Sequence, residues 1–157
     1  MRYFKVIAPG AAEDLAAETW VAVIRGIGRF RGDEAAFKAW VFTIARHQAR
    51  DGWRRAARKP IQELPETGLA EPPAPDDPAA TVLEHASTRA ALALIATLPA
   101  GQAEAIVLRV VAGLEVKQVA GIMDKRPNTV RVLTHRGLRR PAERLGADRG
   151  PRARRAG

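Results

Sequence analysis

The chain contains no cysteine. That absence excludes a disulfide-built secreted domain, a thiolate zinc site and a thiol nucleophile. No apolar run approaches the roughly 18 residues of a membrane span. Arg2, Lys5 and Pro9 interrupt any apolar core of a signal peptide, so a cytoplasmic location is expected. Ser87 is the only serine, and it lacks the context of a nucleophile elbow. His47, His85 and His135 are far apart in sequence and fit no metal-ligand spacing. No glycine-rich phosphate loop follows a strand, and strand signals are nearly absent. The reading is therefore of a protein without enzymatic activity, metal or cofactor.

What the sequence does hold is positive charge, 26 Lys+Arg against 17 Asp+Glu, and 46% hydrophobic residues. Such a balance points to a polyanionic partner, nucleic acid first and an anionic membrane surface second. The charge is divided. Residues 1–59 carry net +6, residues 60–88 carry −6 with no Lys or Arg, and residues 89–157 carry +9. The acidic segment also holds Pro60, Pro65, Pro72, Pro73, Pro75 and Pro78. Prolines remove amide donors and fix φ, so this stretch is expected to be a flexible, extended linker rather than a helix. The basic end from Gly146 is expected to be a disordered tail.

Helical periodicity organises the rest. In Glu13–Ile27, the apolar positions Ala16, Trp20, Val23, Ile24 and Ile27 make one stripe, with Asp14, Glu18 and Arg25 on another face. A glycine-rich loop through Phe30, Arg31 and Gly32 leads into a helix predicted over Glu34–Arg58. Phe37, Val41, Ile44 and Ala45 form its core stripe, and Arg46, Arg50, Arg54 and Arg58 recur every fourth residue. A basic ridge with interleaved Trp40 and His47 suits unpaired nucleic acid, because cations attract phosphates and flat rings stack on bases. A solvated basic face with tryptophans in the core fits the same pattern. Gly52 in this helix has no explanation in the sequence.

Beyond the linker, Val82–Leu98 is helical, Pro99 breaks it, and Gln102–Ala112 follows with Gly113 as its terminator. Glu115–Met123 is a short helix, Asp124-Lys125-Arg126 a turn, and Pro127 the first residue of the next helix. Val130, Leu133, Gly137 and Leu138 are assigned to its core side. Asn128, Arg131, His135 and Arg139 lie opposite, flanked by Thr129, Val132 and Arg136. Pro141 is expected to kink or end this helix. A short helix, a tight turn and a second helix with a basic outer face read as a helix-turn-helix; an ordinary helical hairpin with a charged face is the plainer alternative.

Two segments together resemble the extracytoplasmic-function group of the sigma-70 family of RNA polymerase sigma factors. The first runs Ala12 to Trp20, then Arg29 to Gly32 and Ala39 to His47, ending in Asp51 and Arg54-Arg55, and resembles region 2. The second is Leu98-Pro99, Ala105 to Arg109, Val119-Ala120, Asn128 to Arg131 and His135-Arg136, and resembles region 4. The resemblance implies an all-α fold of two small helical domains: region 2 over residues 1–59, an acidic Pro-rich linker over 60–81, region 4 over 82–145, and a basic tail over 146–157. It implies core RNA polymerase and promoter DNA as partners, with an anti-sigma factor as a further family-level expectation and no membrane span. Asn128, Thr129, Arg131, His135, Arg136 and Arg139 would face the −35 element. Phe30, Arg31, Trp40, Arg46, His47, Arg50, Arg54 and Arg55 would serve the −10 element, and Asp14, Glu18 and Arg25 the polymerase. Only about eleven residues precede Ala12, fewer than in family members. The faces of Trp20, Val23 and Phe37 are therefore expected to be partly uncovered. A stand-alone helix-turn-helix regulator is the main alternative; it explains residues 99–140 but neither the N-terminal Trp/Arg helix nor the linker. A peripheral membrane protein is compatible with the arginine ridge, but nothing about the helix-turn-helix requires it.

Overall fold

The computed structural model describes residues 1–58 and 78–147, with side chains described over 1–58 and 87–139. Most of the acidic linker and the tail from residue 148 onward lie outside these residues. All the regular elements described are helical: α1 (Arg2–Ile7), α2 (Ala12–Gly26), α3 (Glu34–Arg58), α4 (Pro78–Ala96), α5 (Ala100–Ile106), α6 (Val116–Met123) and α7 (Pro127–Ala147), with 3-10 turns at Pro9–Ala11 and Ile27–Arg29.

Local chemistry sets the boundaries. Asp33 caps α3: its Oδ1 accepts from the Ala36 amide at 2.8 Å. The α5 helix starts at the Pro99 carbonyl, which accepts from the Gln102 and Ala103 amides at 2.8 and 3.0 Å. It then widens into a π turn over Val107–Val111, and Gly113 terminates it at φ 70°. Arg109 donates to the Leu114 carbonyl and fixes this exit. Asp124, at φ 53° and ψ 52°, makes the left-handed turn between α6 and α7.

The two halves share one core. Tyr3, Phe4 and Val6 of α1 join Leu15, Ala45 and Ala49 from the N-terminal half and Leu92, Leu108, Val119 and Val130 from the C-terminal half. The segment Arg2–Ile7 is thus a helix that packs against both halves. Burying a side chain such as Phe4 stabilises the fold by about 1.5–3 kcal/mol. Gly52 also acquires a reason: a Cβ there would lie 3.3 Å from Leu15 Cδ2, so the glycine lets α3 close on α2.

Four expectations are corrected. Trp20 is 46% exposed and Ile24 and Ile27 also face solvent, because the buried row of α2 is Leu15, Thr19 and Val23. Thr19 is tolerated there since its hydroxyl donates to the Leu15 carbonyl at 2.7 Å. Val23 is therefore covered, whereas Phe37 is half-buried. Leu138 is exposed rather than in the core. Pro78 is not in extended chain but starts α4, at the first helical position, where a missing amide costs nothing. Finally, α7 runs through Pro141 to Ala147, so Pro141 does not end it.

Candidate nucleic-acid interface

The helix-turn-helix places its polar row as the spacing predicts. Val130 is buried and anchors α7. Asn128, Thr129, Arg131, His135, Arg136 and Arg139 are all exposed. The first helix of the motif is tied to the N-terminal half as well: Gln118 Oε1 accepts from the Glu115 amide at 2.9 Å, and its Nε2 donates to the Ala35 carbonyl at 2.9 Å. Asn128 and the arginines can thus reach base edges, Arg to guanine and Asn to adenine.

The arginine ridge of α3 divides among several environments. His47 and Arg50 are exposed. Arg54 stands 3.7 Å from Asp51 in a loose surface pair. Arg55 bonds Glu18 of α2 at 3.0 Å, so one residue expected on DNA and one expected on polymerase hold each other; an exposed pair of this kind contributes about 0–1 kcal/mol. Arg46 is not on the open surface. Its Nε lies 2.8 Å from Glu104 Oε1, with side-chain exposures of 17% and 12%. The same Glu104 oxygen accepts from the Tyr3 hydroxyl at 2.9 Å. Burial first, and then the Glu104 carboxylate, push the Tyr3 pKa well above the ordinary tyrosine range.

A groove of about 430 Å³ separates α3 from the α6–α7 turn, lined by Arg46, Arg50, Trp53, Arg54, Met123 and Asp124. Trp53 is 48% exposed and is not among the residues expected from the sequence. Its spacing of seven residues from Arg46 and three from Arg50 was the available signal.

Trp40 lies elsewhere, in an aromatic cluster with Phe30 and Phe37. Phe30 and Trp40 stack at 5.0 Å, and Phe37 meets Phe30 edge-on at 5.5 Å. Arg31 folds back on this loop, donating to the Gly28 and Phe30 carbonyls at 3.0 and 2.7 Å. On α2, Asp14 and Arg25 are exposed, close to an apolar row of Trp20, Val21, Ile24 and Ile27, three of which belong to the stripe expected from the helical period.

The fold and this surface define a helical DNA-binding protein with a helix-turn-helix and a second basic helical module. Comparison with known proteins narrows the class. The sigma-70 region 2 profile matches residues 1–59, and the sigma-70 region 4 profile matches residues 88–140. The chain is 37% identical over 137 residues to the ECF RNA polymerase sigma factor ShbA of Streptomyces griseus, covering 82% of this chain and 68% of that protein. It is 33% identical over 140 residues to SigD of Mycobacterium tuberculosis, covering 87% of this chain and 64% of that protein. The sigma factor RpoE of Bartonella quintana, solved with the anti-sigma factor NepR, shares the fold at TM-score 0.65 and 22% identity, over 94% of this chain and 89% of that one. The chain belongs to the extracytoplasmic-function sigma factors of the sigma-70 family, non-enzymatic proteins that direct promoter-specific transcription initiation. Among the described residues, no helix is long and apolar enough to cross a membrane.

Proposed function

We propose that the chain acts in the cytoplasm by binding core RNA polymerase and delivering it to promoters in two steps of DNA recognition. The observation that carries this reading is the exposed row of Asn128, Thr129, Arg131, His135, Arg136 and Arg139 on a helix anchored by Val130. That row enters the major groove of the −35 element as duplex. The α3 surface, with His47, Arg50, Arg54 and Arg55, attracts the phosphates of the −10 strand, and Trp53, an aromatic in the same groove, is available to its bases. The Phe30–Trp40 stack offers flat rings to an unpaired base at about 1–3 kcal/mol each, and Arg31 holds that loop. Arg46 joins this path once it leaves Glu104. The α2 face, with Asp14, Glu18 and Arg25 beside the apolar row at Trp20 and Ile24, docks to polymerase.

A controlling anti-sigma factor fits the same picture, since the RpoE neighbour was solved with one. Run-off transcription with core polymerase tests the reading. The chain should copurify stoichiometrically with core enzyme and produce promoter-dependent transcripts. A protein that shifts promoter duplex but neither copurifies nor supports transcripts is a stand-alone helix-turn-helix regulator instead.

A further inference from the structure

Glu104 carries an inference about control of this chain. It is a region 4 residue, yet both of its bonds reach into region 2: Tyr3 OH at 2.9 Å and Arg46 Nε at 2.8 Å. All three side chains are withdrawn from solvent, so the bonds are not surface accidents. A charge buried against one partner is left uncompensated when that partner goes, and such a contact resists opening. The upward push on the Tyr3 pKa keeps its hydroxyl a donor at any ordinary pH. A second bond, Gln118 to the Ala35 carbonyl at 2.9 Å, closes the far end of the same seam. With the seam shut, Arg50, Trp53 and Arg54 look across a groove at Asp124 of the helix-turn-helix turn.

We propose that Glu104 is an autoinhibitory clasp: it holds region 4 against region 2 and withholds Arg46 from the −10 strand, so Arg46 has two mutually exclusive anionic partners, a carboxylate in the closed chain and a phosphate in the open one. This rests on the −10 reading of α3 given above. Closed chain binds DNA only through its open fraction, and apparent affinity falls by that fraction.

The test uses the full chain. Because it has no cysteine, Ala17→Cys and Gly121→Cys provide a unique pair of label sites; Ala17 is exposed, and nothing lies within 4 Å of a Cβ at Gly121. In labelled protein without DNA, the distance between the labels should be single and narrowly distributed. Glu104→Ala should lengthen and broaden it, and should raise affinity for an unpaired −10 oligonucleotide by about tenfold or more. Tyr3→Phe, which removes one donor and no charge, should open the seam to a lesser degree and guards against a folding defect in Glu104→Ala. The reciprocal pair Arg46→Glu with Glu104→Arg should restore the narrow wild-type distribution. An unchanged distance in both Glu104→Ala and Tyr3→Phe overturns the clasp, and opening without any gain in affinity overturns its autoinhibitory role. Adding Arg46→Ala to Glu104→Ala checks the −10 reading separately: unaltered oligonucleotide affinity there removes Arg46 from the DNA path while the distances still decide whether Glu104 closes the chain.

Discussion

Gly32→Ala is the sharpest single perturbation of the loop assigned to base capture. Gly32 sits at φ 152°, in a region that residues with a side chain rarely enter. A Cβ there would stand 2.8 Å from Ala36 Cβ and 3.0 Å from Phe30 Cζ. The conformation alone costs an alanine about 1–3 kcal/mol, and the overlap is of similar size, about 1–3 kcal/mol. The loop is exposed and can shift, so these do not accumulate in full; a loss of about 2 kcal/mol is expected. For a chain of this length that corresponds to a fall in Tm of about 4–8 °C. The shift should move Phe30 off Trp40, an aromatic pair worth about 0.5–1.5 kcal/mol. Permanganate reactivity of the −10 thymines in open complexes should therefore drop, while binding to a −35 duplex should stay at the wild-type level. Gly28→Ala serves as the control, because a Cβ at Gly28 meets nothing within 4 Å, and its effect should stay within about 0.5 kcal/mol. If Gly32→Ala melts and opens promoters like Gly28→Ala, the loop is not held in this conformation and its role in capture is wrong.

Other consequences are as direct. A Cβ at Gly137 would lie 2.5 Å from Ile106 Cδ1, so Gly137→Ala should destabilise despite a helix-propensity gain of about 1 kcal/mol. Ile106→Val removes that Cδ1 and should rescue it; urea midpoints that merely add would refute the close approach of α5 and α7. Arg131→Ala and Arg136→Ala should each weaken promoter binding by about 1–3 kcal/mol and relax −35 preference at one position; unchanged selectivity in both would remove them from the groove. For Tyr3 the folded pKa lies above the unfolded value of about 10. Its contribution is therefore complete below about pH 10 and lost as pH rises further, because the unfolded chain then binds fewer protons. Alkaline denaturation should be less steep in Tyr3→Phe than in wild type, and equal slopes would contradict the burial of this hydroxyl.

Periodicity located helices well and their inward faces less well. The start of α3 at Glu34 and the start of α7 at Pro127 follow from an Asp33 cap and a Pro at the first helical position, both local signals. The face of α2 does not. Trp20 and Ile24 are its more apolar stripe, yet Leu15, Thr19 and Val23 are buried. Hydrophobicity alone cannot tell a core face from a docking face, and it counts Thr19 as polar although a bond to its own helix satisfies it. The Arg46–Glu104 pair is separated by 58 positions, and neither residue carries a local mark of the other.

The fate of the arginine ridge follows from helix geometry. A step of four residues turns the chain about 400°, so residues four apart drift about 40° around the axis per step. Arg46, Arg50, Arg54 and Arg58 therefore cannot share one environment on a helix packed along one side. Arg46, at the packed edge, meets Glu104, while Arg50 and Arg54 open onto the groove. Arg55, one position past Arg54 and about 100° further round, meets Glu18 of α2. Trp53 is seven residues from Arg46, only about 20° away, and so lines the same groove as the clasped arginine. Release of Arg46 would thus add its charge beside an exposed indole, the combination that unpaired DNA requires. The drift of the ridge, rather than its total charge, is what allows one helix both to hold the chain closed and to present a binding surface.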